Sequence, residues 1–343
     1  MSYPFSANGK IEKSELFVGR KYELDFLTNR MLNISLTSLN VYGEPSIGKS
    51  SLLYHFYLTW INRVSNKDKD KFIVIYLSLQ EAYRYCEEDF YRQVAAELRN
   101  TVKDKPQLLE PWCVNHWKRE IFTESLSYWK KQNVLPVLCV DDIEKALENK
   151  HIFNEVFFDN LLKLICDKQI MLIIASTQSL SDCKVKYGFS SLFFNPTHNV
   201  HLHGFLEAEI TELLSLGGIL TRTERKLAQY WGQSHPYKLQ LAALSLCEAR
   251  QYSEPEKWAK LRFDAQLHTF QLPKYVQWLD VRLKWLKPVN KWLGEIYDKL
   301  HPFILGIVII AVAFFLIKSP SEEVFEFLVQ QIIDFFLKIW KTI

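Results

Sequence analysis

Residues 43–50 read Gly-Glu-Pro-Ser-Ile-Gly-Lys-Ser, and no other run constrains the fold of the chain as much. This G-x-x-x-x-G-K-S pattern lies between an apolar, strand-like run at 36–42 and a helical run that starts at Ser50, which is the context of a phosphate-binding loop (P-loop). Its glycines let the main chain wrap a phosphate, and the amide N–H groups of the helix N-terminus attract negative charge. Lys49 is the predicted catalytic residue that reaches the β- and γ-phosphates of a nucleotide, and Ser50 is a predicted Mg²⁺ ligand. The predicted nucleotide contacts of the loop are Gly43, Glu44, Pro45, Ser46, Ile47, Gly48, Lys49, Ser50 and Ser51.

A pair of carboxylates, Asp141 and Asp142, follows another apolar run at 134–140. A P-loop needs an acid at the end of a neighbouring strand to hold Mg²⁺ and to polarise water. Asp141 is the predicted metal ligand, through water, and Asp142 is the predicted catalytic residue that orients or deprotonates the attacking water. Glu144 lies a helical step behind and ranks as secondary. Aspartates also cap helices, and 143–147 look helical, so capping is the alternative role of the pair.

The strand-like run at 170–175 ends in Ser176, Thr177 and Gln178. A polar side chain at the tip of the strand beside the P-loop can sense the γ-phosphate, although strand ends are often polar in any case. The chain has no N-K-x-D motif for reading guanine. ATP is therefore favoured over GTP as the nucleotide.

Strand-like and helical runs alternate over residues 1–205. The strand-like runs are 36–42, 72–78, 134–140, 170–175 and 200–205, and helical runs such as 50–64, 89–102, 112–131 and 154–166 lie between them. This alternation predicts an α/β P-loop NTPase fold with a parallel sheet covered by helices. From about residue 207 the pattern is wholly helical, which predicts an all-α lid domain over 206–270. A basic, aromatic connector over 271–301 follows it.

The most apolar run, 303–317, has no polar side chain and lies between Pro302 and Lys318. A membrane span needs about 20 apolar residues, with about 17 as the lower limit. A transmembrane helix is predicted over 302–318, with a buried core helix as the alternative. Basic residues are concentrated on the N-terminal side of this apolar run. By the positive-inside rule, this distribution predicts that the N-terminal body lies in the cytoplasm. The helix predicted within 319–343 carries a narrow polar stripe, so it crosses the bilayer as a second span, lies along its surface as an amphipathic helix, or packs on the soluble body.

Composition narrows the function classes further. The 42 basic and 39 acidic residues balance to a net charge of +3, which is too even for a protein that coats nucleic acid. The six cysteines form no C-x-x-C pair, which argues against a zinc ribbon or a disulfide scaffold and favours a reduced, cytosolic body. Residues 1–13 are polar, so no secretory signal is predicted. The clustered His198, His201 and His203 lack neighbouring Cys or acidic ligands and are predicted to be surface residues of a strand.

Two further motifs resemble a known family. Phe17-Val18-Gly19-Arg20 with Glu23 and Leu24 resembles the F-V-G-R-x-x-E-L segment that precedes the P-loop in the STAND class of signalling ATPases, which are relatives of the AAA+ and origin-recognition ATPases. Residues 232–240 are similar to the G-x-P region of the helical domain of bacterial members, and residues 206–209 to the start of that domain. The resemblance spans 17–246. The chain departs from the family at Gln178, where many members have Arg, and at Gln233-Ser234, where Gly-Gly is common.

The resemblance implies that Val18, Gly19 and Arg20 line an adenine site that Pro236 closes from the lid. It also implies an ATP- and Mg²⁺-dependent switch that hydrolyses slowly, forms homo-oligomers and responds to an unknown activating partner. We therefore expect a switch that acts through its C-terminal membrane segment on membrane lipid, as a membrane-perturbing defence or stress effector. The alternative is a membrane-anchored, AAA+-like scaffold that recruits a protein or DNA partner, although nucleic acid is not favoured.

Overall fold

Five strands form one sheet in the described part of the chain, and every pairing between them is parallel. They are β1 (Leu39–Tyr42), β2 (Phe72–Ser78), β3 (Leu135–Asp141), β4 (Met171–Ser176) and β5 (His198–His201). Their order is β2-β3-β4-β1-β5. The prediction of a parallel α/β sheet covered by helices is confirmed. Because β1 lies between β4 and β5, the P-loop that follows it leaves from the interior of the sheet.

The computed structural model describes residues 3–7, 9–33, 38–82, 86–195 and 198–271. The chain divides into a unit of residues 1–268 and a second unit of residues 269–343. The predicted membrane helix over 302–318 and the helix over 319–343 lie outside the described residues, as does the predicted connector apart from its first residue. Within the five described ranges, no helix is long and apolar enough to cross a membrane.

Helices connect the strands and cover both faces of the sheet. The α-helices that the structure describes are α1 (Lys21–Leu32), α2 (Lys49–Thr59), α3 (Glu87–Thr101), α4 (Pro106–Leu109), α5 (Arg119–Lys131), α6 (Ile143–Glu148), α7 (Glu155–Cys166), α8 (Leu180–Tyr187), α9 (Glu207–Leu214), α10 (Arg222–Gly232), α11 (Pro236–Ala249) and α12 (Pro255–Gln271).

Strand alternation divides the core into two layers. In β2, Phe72 and Val74 pack on the face that α1 and α2 cover, whereas Ile73, Ile75 and Leu77 pack on the opposite face with α3, α5 and α7. Successive side chains of a strand point to opposite faces, so a strand buried on both sides is apolar throughout. The seven residues of β3 are all buried, and the first six are apolar as this rule requires, whereas the last is Asp141.

Two predicted elements differ from the structure. The strand expected at 200–205 is observed at His198–His201, because the chain then turns away from the sheet and the Phe205 N–H donates to the Ser234 carbonyl (2.7 Å). The helix expected at 112–131 begins only at Arg119. Trp112 and Trp117 are both buried and stack at 5.6 Å. Residues five apart lie on different faces of a helix, so an irregular backbone is needed for this contact.

Helices α9 to α12, which we call the four-helix segment, have a core of their own. Thr221 and Glu224 start α10 with a capping box, in which Glu224 N–H donates to the Thr221 hydroxyl (3.2 Å) and Thr221 N–H to the Glu224 carboxylate (2.8 Å). At the end of α10, a Cβ on Gly232 would lie 2.6 Å from the main-chain nitrogen of Leu239. Only glycine lets α10 and α11 approach this closely.

The residues before α1 form an extended N-terminal strap (residues 3–7 and 9–17). One part packs on the four-helix segment, where Phe5 is buried and the Ser6 N–H donates to the Gln240 side chain (2.9 Å). The other part packs on α2, where the Ile11 N–H donates to the Ser51 hydroxyl (3.0 Å) and the Phe17 ring stacks on His55 at 4.0 Å. The strap therefore contacts both the four-helix segment and the P-loop helix.

Acid should weaken the contact between the strap and α2. Burial, aided by the charge of Arg63, lowers the pKa of His55 to about 4 from its ordinary 6.5. As the pH falls, the imidazole of His55 takes up a proton near pH 6.5 in the unfolded chain but only near pH 4 in the folded chain. The folded state therefore has its full stability above pH 6.5 and loses part of it as the pH falls toward 4. We expect His55 to account for a loss of about 1 kcal/mol between pH 7 and pH 5, after discounting for solvent screening.

Urea unfolding of wild type and His55→Phe at both pH values checks this, because the phenyl ring keeps the stack and cannot titrate. The variant should lose less stability than wild type between pH 7 and pH 5. An equal loss in the two proteins would contradict the prediction.

Candidate nucleotide-binding site

The P-loop joins the carboxyl end of β1 to the first residue of α2, as the sequence predicts. Three of its residues have positive φ angles: Gly43 (155°), Ser46 (58°) and Gly48 (103°). A Cβ on Gly43 would lie 2.8 Å from the Leu202 carbonyl oxygen, so this position needs glycine for space as well as for conformation. The loop thereby exposes main-chain N–H groups at the N-terminus of α2, where an anion is stabilised.

Lys49 lies inside this loop. Its Nζ donates to the carbonyl oxygens of Gly43 (2.7 Å) and Glu44 (2.8 Å). Burial lowers the pKa of Lys49, while the carboxylates of Glu144, Asp141 and Asp142, and then Glu44, act in the opposite direction. The ammonium group therefore lies between the loop and these carboxylates (the acidic cluster), at the carboxyl edge of the sheet.

Asp141 is the last residue of β3 and is 4% exposed. Its Oδ2 accepts a hydrogen bond from the Tyr76 hydroxyl (2.6 Å), and its Oδ1 accepts the Asp142 N–H (3.1 Å). Tyr76 lies two residues before the end of β2, and no motif in the sequence marks it as a site residue. These bonds hold the predicted metal ligand in one orientation.

Asp142 has a left-handed backbone (φ 57°) and accepts a hydrogen bond from the Ser78 hydroxyl (3.1 Å). Burial and the neighbouring Asp141 raise its pKa, which makes it a better proton acceptor than an ordinary aspartate. Although it precedes α6, its side chain makes no capping hydrogen bond. Helix capping, the alternative role of this side chain, is therefore wrong for Asp142.

Glu144 has a larger place in the site than the secondary role predicted for it. It lies in the first turn of α6 and accepts hydrogen bonds from the main-chain N–H and the hydroxyl (2.8 Å) of Thr177, just after β4. It is also the carboxylate with the strongest effect on the pKa of Lys49. Its position three residues after Asp141, in the first turn of a helix, is the signal that could have found it.

Ser176 faces away from α2. It is 1% exposed, its hydroxyl accepts a hydrogen bond from the Asn40 side chain (2.7 Å), and it donates to the Gln178 carbonyl (2.6 Å). Asn40 is fully buried in β1, and its side-chain oxygen accepts the Leu180 N–H (2.9 Å). Ser176 thus joins β1 to the start of α8, and Thr177 is the polar side chain that reaches the acidic cluster.

Arg20 connects the P-loop to the four-helix segment. Its guanidinium is 4% exposed and donates to the carbonyls of Ile47 (3.0 Å) and His203 (2.7 Å) and to Glu23 (3.0 Å). Its main-chain N–H donates to Glu209 of α9 (2.5 Å). Three of the five N–H donors of the guanidinium are therefore bonded to protein groups.

Val18 and Gly19 lie beside the same helix. Val18 is buried against the core of the four-helix segment, and a Cβ on Gly19 would lie 2.5 Å from a Glu209 carboxylate oxygen. On the other side, Pro236 is buried at the first position of α11. Burial and then Lys238 lower the pKa of the adjacent His235, whereas the P-loop residues Glu44 and Pro45 act in the opposite direction. His235 and Arg20, which are far apart in sequence, thus both lie near the P-loop.

The residues at this edge fit a Mg²⁺ ion. Asp141 offers an oriented carboxylate, and Ser50 lies in the first turn of α2. Among the described residues, no group of three or more His, Cys, Asp or Glu side chains is placed to hold a metal ion by itself. Mg²⁺ commonly binds through one or two protein ligands with phosphates and water as the others, so this set suits a metal that arrives with a nucleotide.

A five-stranded parallel sheet, a P-loop after its first strand and carboxylates after its third form the fold of a P-loop NTPase. The Walker-type ATPase PABY2304 of Pyrococcus abyssi is similar over 82% of this chain and 80% of its own, with 17% identity and a TM-score of 0.55. The ORC2 protein of Aeropyrum pernix is similar over 80% of this chain and 73% of its own, with 12% identity and a TM-score of 0.57. Comparison with protein-family models and with curated proteins finds no match.

Proposed function

We propose that this chain is an ATP- and Mg²⁺-binding molecular switch that hydrolyses ATP slowly and acts through its C-terminal segment at a membrane. The observation that carries the proposal is Arg20, which joins the P-loop residue Ile47 to the four-helix segment at Glu209. Movement of the P-loop on ATP binding or hydrolysis can be transmitted to the four-helix segment through these bonds. In this proposal the four-helix segment is the lid.

Each site residue has a role in the proposed switch. The P-loop main chain and Lys49 bind the phosphates, Ser50 and Asp141 hold Mg²⁺, and Asp142 takes up or orients the proton of the attacking water. Mg²⁺ held by these residues would neutralise the charge that develops on the phosphates. The adenine would lie beside Val18, Gly19, Arg20 and Pro236, as the family resemblance implies.

The contact of Glu144 with Thr177 supports a switch. The γ-phosphate is the group by which ATP and ADP differ, and Glu144 lies between Lys49, which would bind that phosphate, and the loop after β4. Binding of ATP would draw Lys49 toward the nucleotide and weaken its attraction to Glu144. The loop after β4 and the lid would then adopt different positions in the ATP and ADP states.

The output of the switch is proposed from sequence. The apolar run at 303–317 is the candidate membrane segment, and homo-oligomers formed in the ATP state would gather several such segments in the lipid. The N-terminal body would lie in the cytoplasm, with an activating partner yet to be found. Perturbation of the membrane is then the effect, as in a defence or stress response.

Membrane potential in bacterial cells tests this function. Cells would express the full chain, its Lys49→Ala variant, or a chain that ends at Leu300. We expect depolarisation with the full chain alone. Depolarisation that persists in Lys49→Ala would show that the apolar tail acts without the switch, and the proposed coupling would be wrong.

The second candidate function is a membrane-anchored scaffold that recruits a DNA or protein partner. The basic residues Arg282, Lys284, Lys287, Lys291 and Lys299 favour it, because clustered cations bind phosphodiesters or anionic lipid. Salt-sensitive binding of DNA by residues 1–300, together with an unchanged membrane potential, would favour the scaffold over the switch.

A further inference from the structure

The N-terminal strap passes from the four-helix segment to the metal-binding edge of the sheet. At one end, Phe5 is buried among the residues of the four-helix segment, and the Tyr3 hydroxyl donates to the Cys247 carbonyl of α11 (3.3 Å). At the other end, Ile11 bonds to Ser51 of α2 (3.0 Å). The strap is therefore anchored both on the four-helix segment and on α2.

Lys10 lies between these anchors and above two aromatic rings. Its Nζ is 4.8 Å from the centre of the Tyr54 ring and 5.3 Å from that of Tyr76. The two rings meet edge to face at 5.2 Å. An ammonium group at these distances is attracted by the electrons of both rings, so Lys10 holds Tyr76 against α2.

Tyr76 in turn holds Asp141. Its hydroxyl donates to Asp141 Oδ2 at 2.6 Å, and its ring packs against Tyr54 of α2. Because Asp141 is nearly inaccessible to solvent, water cannot readily replace this donor.

We propose that Tyr76 is a positioning residue for the Mg²⁺-binding carboxylate of Asp141, and that the N-terminal strap holds Tyr76 in place through Lys10. The strap then links the four-helix segment to the metal site by a route separate from Arg20. This inference rests on the proposed function, because it requires Mg²⁺ and nucleotide at this P-loop.

The loss of the Tyr76 hydroxyl should free Asp141 to turn toward the nearby ammonium of Lys49. A carboxylate in that position is poorly placed for a hydrated metal ion, whereas the phosphate contacts of the P-loop are unchanged. The affinity for Mg²⁺ should fall, and the affinity for nucleotide without metal should not. Partners that orient a metal ligand commonly alter metal affinity by about 10-fold or more.

The affinity for Mg²⁺ is measured by titrating Mg²⁺ into full-length protein in the presence of a fluorescent ATP analogue. The affinity for nucleotide without metal is measured by titrating the analogue into the protein in EDTA. We expect Tyr76→Phe to raise the Mg²⁺ concentration at half-effect about 10-fold, with binding in EDTA unchanged. Tyr57→Phe is the matched control: its ring lies 6.4 Å from that of Tyr76, and its hydroxyl does not bond to Asp141. Equal Mg²⁺ curves for the two variants would overturn the role of Tyr76.

Lys10→Met tests whether the N-terminal strap holds Tyr76 in place. Because this variant leaves every tyrosine intact, it tests the proposal even if Tyr76→Phe does not fold. It should shift the Mg²⁺ curve in the same direction by about 3-fold, whereas Lys13→Met, on the same strap, should not. A Lys10→Met curve that matches wild type would overturn the link through the strap. Wild-type protein that binds no nucleotide in either buffer would instead overturn the proposed function itself.

Discussion

Lys49→Ala should reduce ATP hydrolysis by at least about 100-fold and weaken ATP binding, because the removal of one preorganised donor to a developing phosphate charge has an effect of this size. The variant also leaves Asp141, Asp142 and Glu144 without the cation that faces them. Their mutual repulsion then opposes the approach of a negatively charged nucleotide. Phosphate release and the binding of a fluorescent ATP analogue are the measurements.

The Lys49→Ala variant should keep its fold. The Lys49 ammonium bonds only to carbonyls of its own loop among the groups described, so its loss removes no contact between the sheet and the helices. Lys71→Ala is the control, since that lysine pairs with Asp68 at the surface and should affect neither activity nor stability. Hydrolysis in Lys49→Ala within a few-fold of wild type would remove the P-loop from the proposed mechanism.

Arg20→Met should destabilise the protein by about 3 kcal/mol, because it breaks a buried ion pair and leaves the remaining partners unsatisfied. The partners that would lose their donor are the Glu23 carboxylate and the carbonyls of Ile47 and His203. Methionine keeps much of the contact with the Phe205 ring, which lies 4.9 Å from the guanidinium carbon. The lost free energy therefore reports on the polar contacts, and urea unfolding measures it.

The matched control for Arg20 is Arg30→Met, in the helix that Arg20 precedes. The Arg30 guanidinium lies 5.1 Å from the centre of the Phe26 ring, and such an interaction contributes about 0.5–1 kcal/mol. The two variants should therefore differ by about 2 kcal/mol in the free energy of unfolding. If both lose the same amount, the polar contacts of the Arg20 guanidinium with Glu23, Ile47 and His203 do not stabilise the fold as the structure indicates.

The features that sequence could predict are those set by local pattern. The P-loop has its own spacing of glycines, and Asp141 ends an apolar run, so the pattern alone places both at the carboxyl edge of a parallel sheet. Tyr76 and Asn40 could not be found in this way, since their partners lie 65 and 136 residues away and depend on strand order and register. The sequence does show that Asn40 is a polar residue within a short apolar strand, which indicates a buried hydrogen bond but does not identify its partner.

Arg20 illustrates how family resemblance and structure complement each other. The resemblance placed it beside an adenine site, and the structure does bring it to the P-loop. Its guanidinium, however, is already bound by Glu23 and two carbonyls, so it can position the P-loop more readily than it can contact a base. Such detail depends on tertiary contacts that no spacing of residues reveals.

The close approach of α10 and α11 at Gly232 has a mechanical consequence. Helices whose backbones lie this close cannot slide past each other without a clash, so α10 and α11 would move as one rigid body in the proposed switch. The last helix of the segment, α12, has 17 residues, which corresponds to a length of about 25 Å. Because displacement grows with distance from the axis of rotation, a small rotation of the segment would displace the end of α12 more than its start.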